Sequence, residues 1–287
     1  MTKKPQIQTW KQMASVWKKY IKPPARPSSS QIEIWQKIIK QKVKEKSKVL
    51  ILGATPESRD ICTKYHLETI VCDISQDMIK AMDEIVKHKN PKEKKVICNW
   101  LEMKFKKESF DLILSDASLN QLLSKNDLKK LLSKLQDLLK PDGYILLREV
   151  TRANLKPEIK GEKWIKWFEK YRKKKISKTE LYMYLKYLSD ANPFPKSPSI
   201  VDWAPVFKKM APLYKQAKVP KDFYRWCEKV FGSKQHKRLL IFLKKDLEKL
   251  LKQYFRLLPI KQCHDCSFDQ YMPCYLGRPK KQKSKKQ

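Results

Sequence analysis

The sequence predicts an α/β protein: a doubly wound sheet, mostly parallel, closed by an antiparallel strand, with a helical segment before it and a helical insertion late in the chain. Three observations predict it. From residue 48, short apolar runs alternate with helical stretches, the pattern of parallel strands joined by right-handed crossovers. The runs VLIL, IVC, LIL and YILL are continuously apolar, as strands covered on both faces must be. After residue 152 this texture gives way to Lys-rich, aromatic-dense sequence with helical spacing, and two strand-like segments follow near the end.

Residues 6–21, with Trp10, Trp17 and Tyr20, read as a short helix. The stretch KPPARPSSS ends it, because a proline pushes the residue before it towards extended backbone. Ser30 followed by Glu33 is a capping-box pattern at the head of QIEIWQKIIKQKV, whose Ile34, Trp35, Ile38 and Ile39 share a face. KVLILG is the first strand and SRDICTKYH a helix; ETIVCDIS is the second strand, ending at Asp73, and QDMIKAMDEIVK the next helix. KKVICNW and FDLILSDAS are strands three and four. NDLKKLLSKLQDLLK is a strongly periodic helix, and PDG turns into strand five, YILLREV. FRLLPIKQCHD and QYMPCYL read as a closing pair of strands. The expected organisation is a helical cap over 1–45, an α/β core over 46–151, a helical lid over 152–252, closing strands over 253–278, and a basic tail over 279–287 too polar to bury a core.

Hydrophobic residues make up 41% of the 287, which is enough for a sizeable core. The net charge of +35 points to solubility and to non-specific attraction to polyanions. Only nine of the 65 basic residues are arginine, the residue favoured for bidentate phosphate and base recognition. The lysines and the tail KKQKSKK read first as solvated faces, with non-specific nucleic acid as a partner class. No run approaches the ~20 apolar residues that span a membrane, and MTKKPQIQTWKQM has no apolar signal region, so a cytoplasmic protein is expected. Seven cysteines, an odd number, read as reduced thiols. Cys263, His264, Cys266 and Cys274 hold a single C-x-x-C. Tetrahedral zinc usually draws on two such pairs, and thiols on the closing strands are favoured over a metal.

In an open α/β sheet the ligand lies beyond the carboxyl ends of the strands. That places Gly53 and its successors, Asp73, Asn99 and residues 115–120 around one crevice. Gly53 lets backbone approach a ligand closely. Asp73 can accept hydrogen bonds from two ribose hydroxyls, or cap a helix. Asn99 can meet an adenine edge, with Trp100 and Leu101 beside the base. The G-x-G-x-x-G turn that a pyrophosphate needs is absent. A nucleoside without phosphate, such as S-adenosylmethionine, does not require it.

The series VLILGATPES, VCDISQDMI, CNWLEM and FDLILSDASLNQL, followed by LKPDGYILLREV, resembles the Rossmann-like class I S-adenosylmethionine-dependent methyltransferases. More narrowly it is similar to a branch whose first loop reads LG-x-TPE and whose fourth strand ends in D-x-SLN. PPARPSS suits that branch, where an N-terminal helical segment closes over the cofactor. The resemblance implies that Gly53, Ala54 and Thr55 line the methionine moiety, Asp73 binds the ribose, and Ile74 and Met78 flank the adenine. It puts Asn99 and Trp100 where the family has an acid and an aromatic, and turns Asp116 and Asn120 towards the amino-acid tail or the acceptor. Two departures are visible: Ile51 stands where the family carries an acid two positions before the first glycine, and Asn99 replaces the commoner Asp. Modest cofactor affinity is therefore expected.

The resemblance implies methyl transfer to an unidentified acceptor, with Asp116 as the candidate base. No N-P-P-Y signature and no cysteine pair for carbon methylation narrows the acceptor class. A small molecule held under the aromatic lid is favoured; RNA, or a non-catalytic basic binding protein on the same fold, are the alternatives.

Overall fold

The structure is a computed structural model and describes residues 14–232 and 237–280. Residues 14–20 are helical (α1); α2 (Ser29–Lys42) follows after the proline-rich strap. Then come β1 (Lys48–Leu52), α3 (Pro56–Lys64), β2 (Glu68–Asp73), α4 (Gln76–Asp83), β3 (Glu93–Ile97), β4 (Phe110–Asp116), α5 (Lys125–Leu138) and β5 (Leu139–Arg148). The insertion holds β6 (Thr151–Arg152), α6 (Lys163–Arg172), α7 (Lys178–Leu188), β7 (Ser199–Val201), α8 (Ala204–Lys215), α9 (Lys221–Phe231) and β8 (Leu239–Leu243). The chain closes with α10 (Lys244–Tyr254), β9 (Phe255–Leu258) and β10 (Cys274–Pro279). Trp10 and the basic tail beyond 280 lie outside the described residues.

Seven strands form one sheet in the order β3-β2-β1-β4-β5-β10-β9. β1 pairs in parallel with β2 and β4, β2 with β3, and β4 with β5; β10 runs antiparallel between β5 and β9. This is the doubly wound sheet with a closing antiparallel strand that the sequence predicts. Successive strand residues face opposite ways, and two clusters result. Val49, Ile51, Val71 and Leu114 pack with Trp35 and Ile39 of α2, Ile61 of α3 and Met78 of α4. Leu50, Leu52, Ile113 and Leu147 pack with Leu128, Leu131 and Leu135 of α5 and Leu247, Leu250 and Leu251 of α10. The spacing of those α5 leucines is the helical stripe of a core-facing helix.

Three local readings differ from the structure. The cap of α2 is Ser28, whose hydroxyl accepts the Gln31 N–H at 3.4 Å. Ser30 bonds Asp265 and lies 3.1 Å from the Cys263 sulfur, holding α2 to the loop before β10. PDG lies inside β5 as an irregularity between the Phe110–Leu139 and Leu112–Tyr144 pairs. A Cβ on Gly143 would come within 3.0 Å of the Phe110 carbonyl, so glycine is needed there. The third difference is the insertion, expected to be helical throughout. It contains a second sheet, β6-β8-β7, because LLIFL pairs with the chain leaving β5 and is buried along its whole length.

The insertion's aromatics pack on one another. Tyr182 stacks on Phe231 at 4.1 Å and Tyr214 on Tyr224 at 3.8 Å, and Trp164, Phe168 and Trp203 are fully buried. Lys186 is buried among Tyr182 and Tyr187, and burial holds its amine well below the usual lysine range. No described helix is long and apolar enough to cross a membrane.

Candidate functional site

The carboxyl ends of β2, β1, β4 and β5 lie side by side, and the strap between α1 and α2 is held against them through Arg26 on Glu57 and the Pro24 carbonyl on Arg148. Gly53 leaves β1 with φ +89°, a conformation that costs glycine little. A Cβ there would sit 3.8 Å from Asp73 Oδ2 and 3.7 Å from Ser118 Oγ. Gly53 N–H donates to the Cys72 carbonyl at 2.8 Å, which fixes the loop against the end of β2. Ala54 is buried, Thr55 is half-buried, and α3 starts at Pro56 with no side-chain cap from Thr55.

Asp73 ends β2. Its Oδ1 accepts the Ser75 N–H at 2.7 Å, and no described lysine or arginine forms an ion pair with it. Burial pushes its carboxyl up to about 6, with backbone N–H groups of Ser75 and Ile74 opposing. Ser75, rather than Asp73, caps α4, accepting the Met78 N–H at 3.2 Å. Ile74 is 36% exposed, an apolar side chain left open at the rim, while Met78 is buried behind it. Asn99 caps a short turn, accepting the Leu101 N–H at 3.1 Å and donating to Glu102 at 3.0 Å. The Trp100 indole N–H donates to the Cys72 carbonyl at 2.7 Å and so pins its ring beside β2.

On the β4–β5 side Asn120, Glu149 and one oxygen of Asp116 are bonded within the protein. Asp116 Oδ1 accepts from Arg148 Nε at 2.7 Å, and both side chains are buried. Arg148 also donates to the Pro24 carbonyl at 3.2 Å, tying the strap down. Ala117 sits at φ +54°, an uncommon conformation for a residue with a Cβ. It turns the chain so that Ser118 Oγ donates to the Leu52 carbonyl at 2.7 Å. The Asn120 amide donates to the carbonyls of Val150 (3.1 Å) and Leu240 (2.9 Å) and accepts the Val150 N–H at 2.8 Å. All its capacity but one lone pair is used by backbone, so the residue expected to meet cofactor or acceptor instead ties β4, β5 and β8 together. Cys263, Cys266 and Cys274 are not gathered around a metal position; the Gln31 amide donates to the Cys274 sulfur at 3.0 Å. Among the described residues, no group of three His, Cys, Asp or Glu is placed to hold a metal ion.

Four site residues were not singled out by sequence: Arg26, Glu57, Arg148 and Glu149. Arg26 pairs with Glu57 of α3, joining the strap to the first loop. Glu149 is fully buried, and its carboxyl takes hydrogen bonds from Ser115 Oγ (3.0 Å) and the N–H groups of Leu119 and Asn120 (both 3.3 Å). Burial pushes it up to about 8 against those bonds. The signal was present: Arg148 and Glu149 are charged residues closing the otherwise apolar run YILL.

Comparison with known proteins agrees with this geometry. The sequence profile of a family described as a methyltransferase domain matches residues 53–143, from the glycine of the first loop to that of the β5 irregularity. No curated protein matches the sequence. The 1,6-didemethyltoxoflavin-N1-methyltransferase of Burkholderia thailandensis, solved with 1,6-didemethyltoxoflavin and S-adenosylhomocysteine, superposes with a TM-score of 0.54 at 10% identity, over 95% of this chain and 84% of that one. The N-methyltransferase NodS of Bradyrhizobium japonicum, solved with S-adenosylhomocysteine, gives 0.51 at 10% identity over 94% and 98%. A protein named as a zinc-dependent alcohol dehydrogenase from Rhodobacter sphaeroides gives 0.62 at 14% identity over 97% and 100%. Identities this low speak for the fold alone. Profile and topology meet on the same strands: residues 53–143 match a methyltransferase domain, and the sheet that carries them has the architecture of the class I S-adenosylmethionine-dependent methyltransferases.

Proposed function

We propose that this protein transfers a methyl group from S-adenosylmethionine to a small-molecule acceptor held beneath the insertion. The observation that carries the cofactor is Asp73: a half-buried carboxylate at the end of β2, without an ion-pair partner among the described residues, facing Gly53 across a loop that lacks a phosphate-binding turn. A carboxylate in that state suits the paired hydroxyls of a ribose, which bring donors and no charge. Exposed Ile74, and Trp100 bonded to the Cys72 carbonyl, are the apolar side chains an adenine would meet there, and Gly53 brings no side chain to the thioether end. The residues present therefore fit the cofactor.

Bound there, the cofactor supplies an activated methyl on a positively charged sulfur with a neutral leaving group. The protein's part is to position the acceptor in line, exclude water, and accept a proton where the acceptor must lose one. Asp116, the candidate base on sequence grounds, has an oxygen held by Arg148, and this reading gives it the task of fixing the end of β4. The insertion follows directly from β5 and shares the hydrophobic cluster of the α2 face, which makes it the natural cover for an acceptor.

RNA is the second reading, and one feature favours it. Arg172, Lys174, Lys175 and Lys178 line a cavity of about 660 Å³ on the insertion, offset by Glu180 and Asp222. The test is an assay of S-adenosylhomocysteine release with a panel of small phenols, amines and carboxylic acids, and with total RNA at low and high salt. Turnover with a small acceptor supports the main reading. Turnover with RNA alone, falling steeply with salt, replaces it with the second.

A further inference from the structure

Ile51 is 1% exposed and packed in the core, so the first strand brings no acid to the crevice. Across the same loop, in the first turn of α3, Glu57 is 6% exposed. Its Oε1 is taken by Arg26, while its Oε2 is buried with no hydrogen-bond partner. A buried carboxylate oxygen without a donor is costly to keep. Glu57 interacts electrostatically with Asp116 and Arg148, which places its carboxylate on the crevice side of α3. Burial pushes the Glu57 carboxyl up in spite of Arg26, so one cation does not satisfy it.

We propose that Glu57 Oε2 receives the ammonium of the cofactor's amino-acid tail, doing from across the loop what Ile51 cannot do from β1. The inference rests on reading the crevice as an S-adenosylmethionine site. An ammonium brings both things that Oε2 lacks, a donor and a positive charge. The tail's carboxylate then meets the start of α3, where Thr55 provides no cap and Ser58 Oγ is buried without a partner. A helix N-terminus favours an anion. Arg26, Arg148, Glu57 and Asp116 carry two charges of each sign, and a zwitterionic tail enters without unbalancing them.

The experiment compares S-adenosylhomocysteine, which carries the tail, with 5′-methylthioadenosine, which lacks it. Both are titrated calorimetrically into the full chain, its Glu57→Gln variant and its Asp73→Asn variant, with melting temperatures recorded. Glu57→Gln is expected to weaken S-adenosylhomocysteine at least about tenfold and to leave 5′-methylthioadenosine unchanged. Asp73→Asn is expected to weaken both. Equal loss of both ligands in Glu57→Gln would make Glu57 a strap anchor only, and undiminished S-adenosylhomocysteine binding would show that Oε2 meets no ammonium. Either result overturns the inference. If the unaltered chain binds neither ligand, the cofactor reading falls and takes this inference with it.

Discussion

The two sides of the strand-end crevice differ in what their polar groups have left to offer. On the β1–β2 side, Asp73 has one oxygen held by Ser75 and no ion-pair partner among the described residues, and Glu57 keeps a buried oxygen without a donor. On the β4–β5 side, Asn120 is held by three backbone bonds, Glu149 accepts from three donors, and Asp116 is paired with Arg148. Both sides lie beyond the carboxyl ends of one sheet and both are rich in polar residues. Polar composition at a strand end therefore does not by itself mark a ligand site; the proposed cofactor needs unfilled hydrogen-bonding capacity, and that lies on the β1–β2 side. The β4–β5 side instead solves a structural problem, carrying the chain from β5 into the insertion and bringing β8 back beside it.

This contrast can be broken first at Asn120. Asn120→Ala would leave the Val150 N–H and two buried carbonyls without partners, and a loss of roughly 3–5 kcal/mol in unfolding free energy is expected from denaturant titration. A loss below about 1 kcal/mol would mean that the tie is not structural. Glu149 offers a second test. Its folded-state value of about 8 lies above the ordinary glutamate value of 4.5. Between those values the folded chain binds more protons than the unfolded one, so this contribution is complete below about pH 4.5 and is lost as pH rises towards 8. Glu149→Gln should flatten that decline and gain roughly 2–3 kcal/mol at pH 8 relative to its effect at pH 5. Parallel stability curves for the two proteins would contradict the assignment. Asp73 shifts in the same direction over a narrower window, between about 4 and about 6, and contributes less.

On the receptive side the effects fall on binding. Asp73→Asn should not lower the melting temperature, and should weaken S-adenosylhomocysteine by roughly 1–2 kcal/mol. The reverse pattern would move Asp73 into the structural group. The smallest effect concerns the tail: removal of residues 281–287 should alter cofactor affinity by less than about 0.5 kcal/mol, and a larger change would give the basic tail a part in the site.

The alternating strands and helices and the strand ends were legible because they depend on apolar periodicity and on where strands end, both local properties of the chain. LG-x-TPE and the aspartate after VC are features of this kind, and the structure brings Gly53, Asp73 and Trp100 together. The roles of Asn120, Arg148 and Glu149 were not legible, because they are set by partners 29 to 124 residues away, such as Leu240 and Pro24. β8 escaped for a related reason: LLIFL runs straight into the Lys-rich helical stretch KKDLEKLLKQY, and its pairing with the distant β6 and β7 makes it a strand. Glu57 was not legible either, because the helix was expected to begin at Ser58; the structure starts α3 at Pro56 and leaves a buried Glu57 oxygen without a hydrogen-bond partner.

The central claim is that the β1–β2 side receives a nucleoside carrying a thioether or sulfonium and not a dinucleotide. Calorimetric titration of the full chain with S-adenosylmethionine and S-adenosylhomocysteine, with NAD as the control, tests it most directly. The structure predicts saturable binding of the first two and none of NAD. Binding of NAD, or silence with all three, would contradict it.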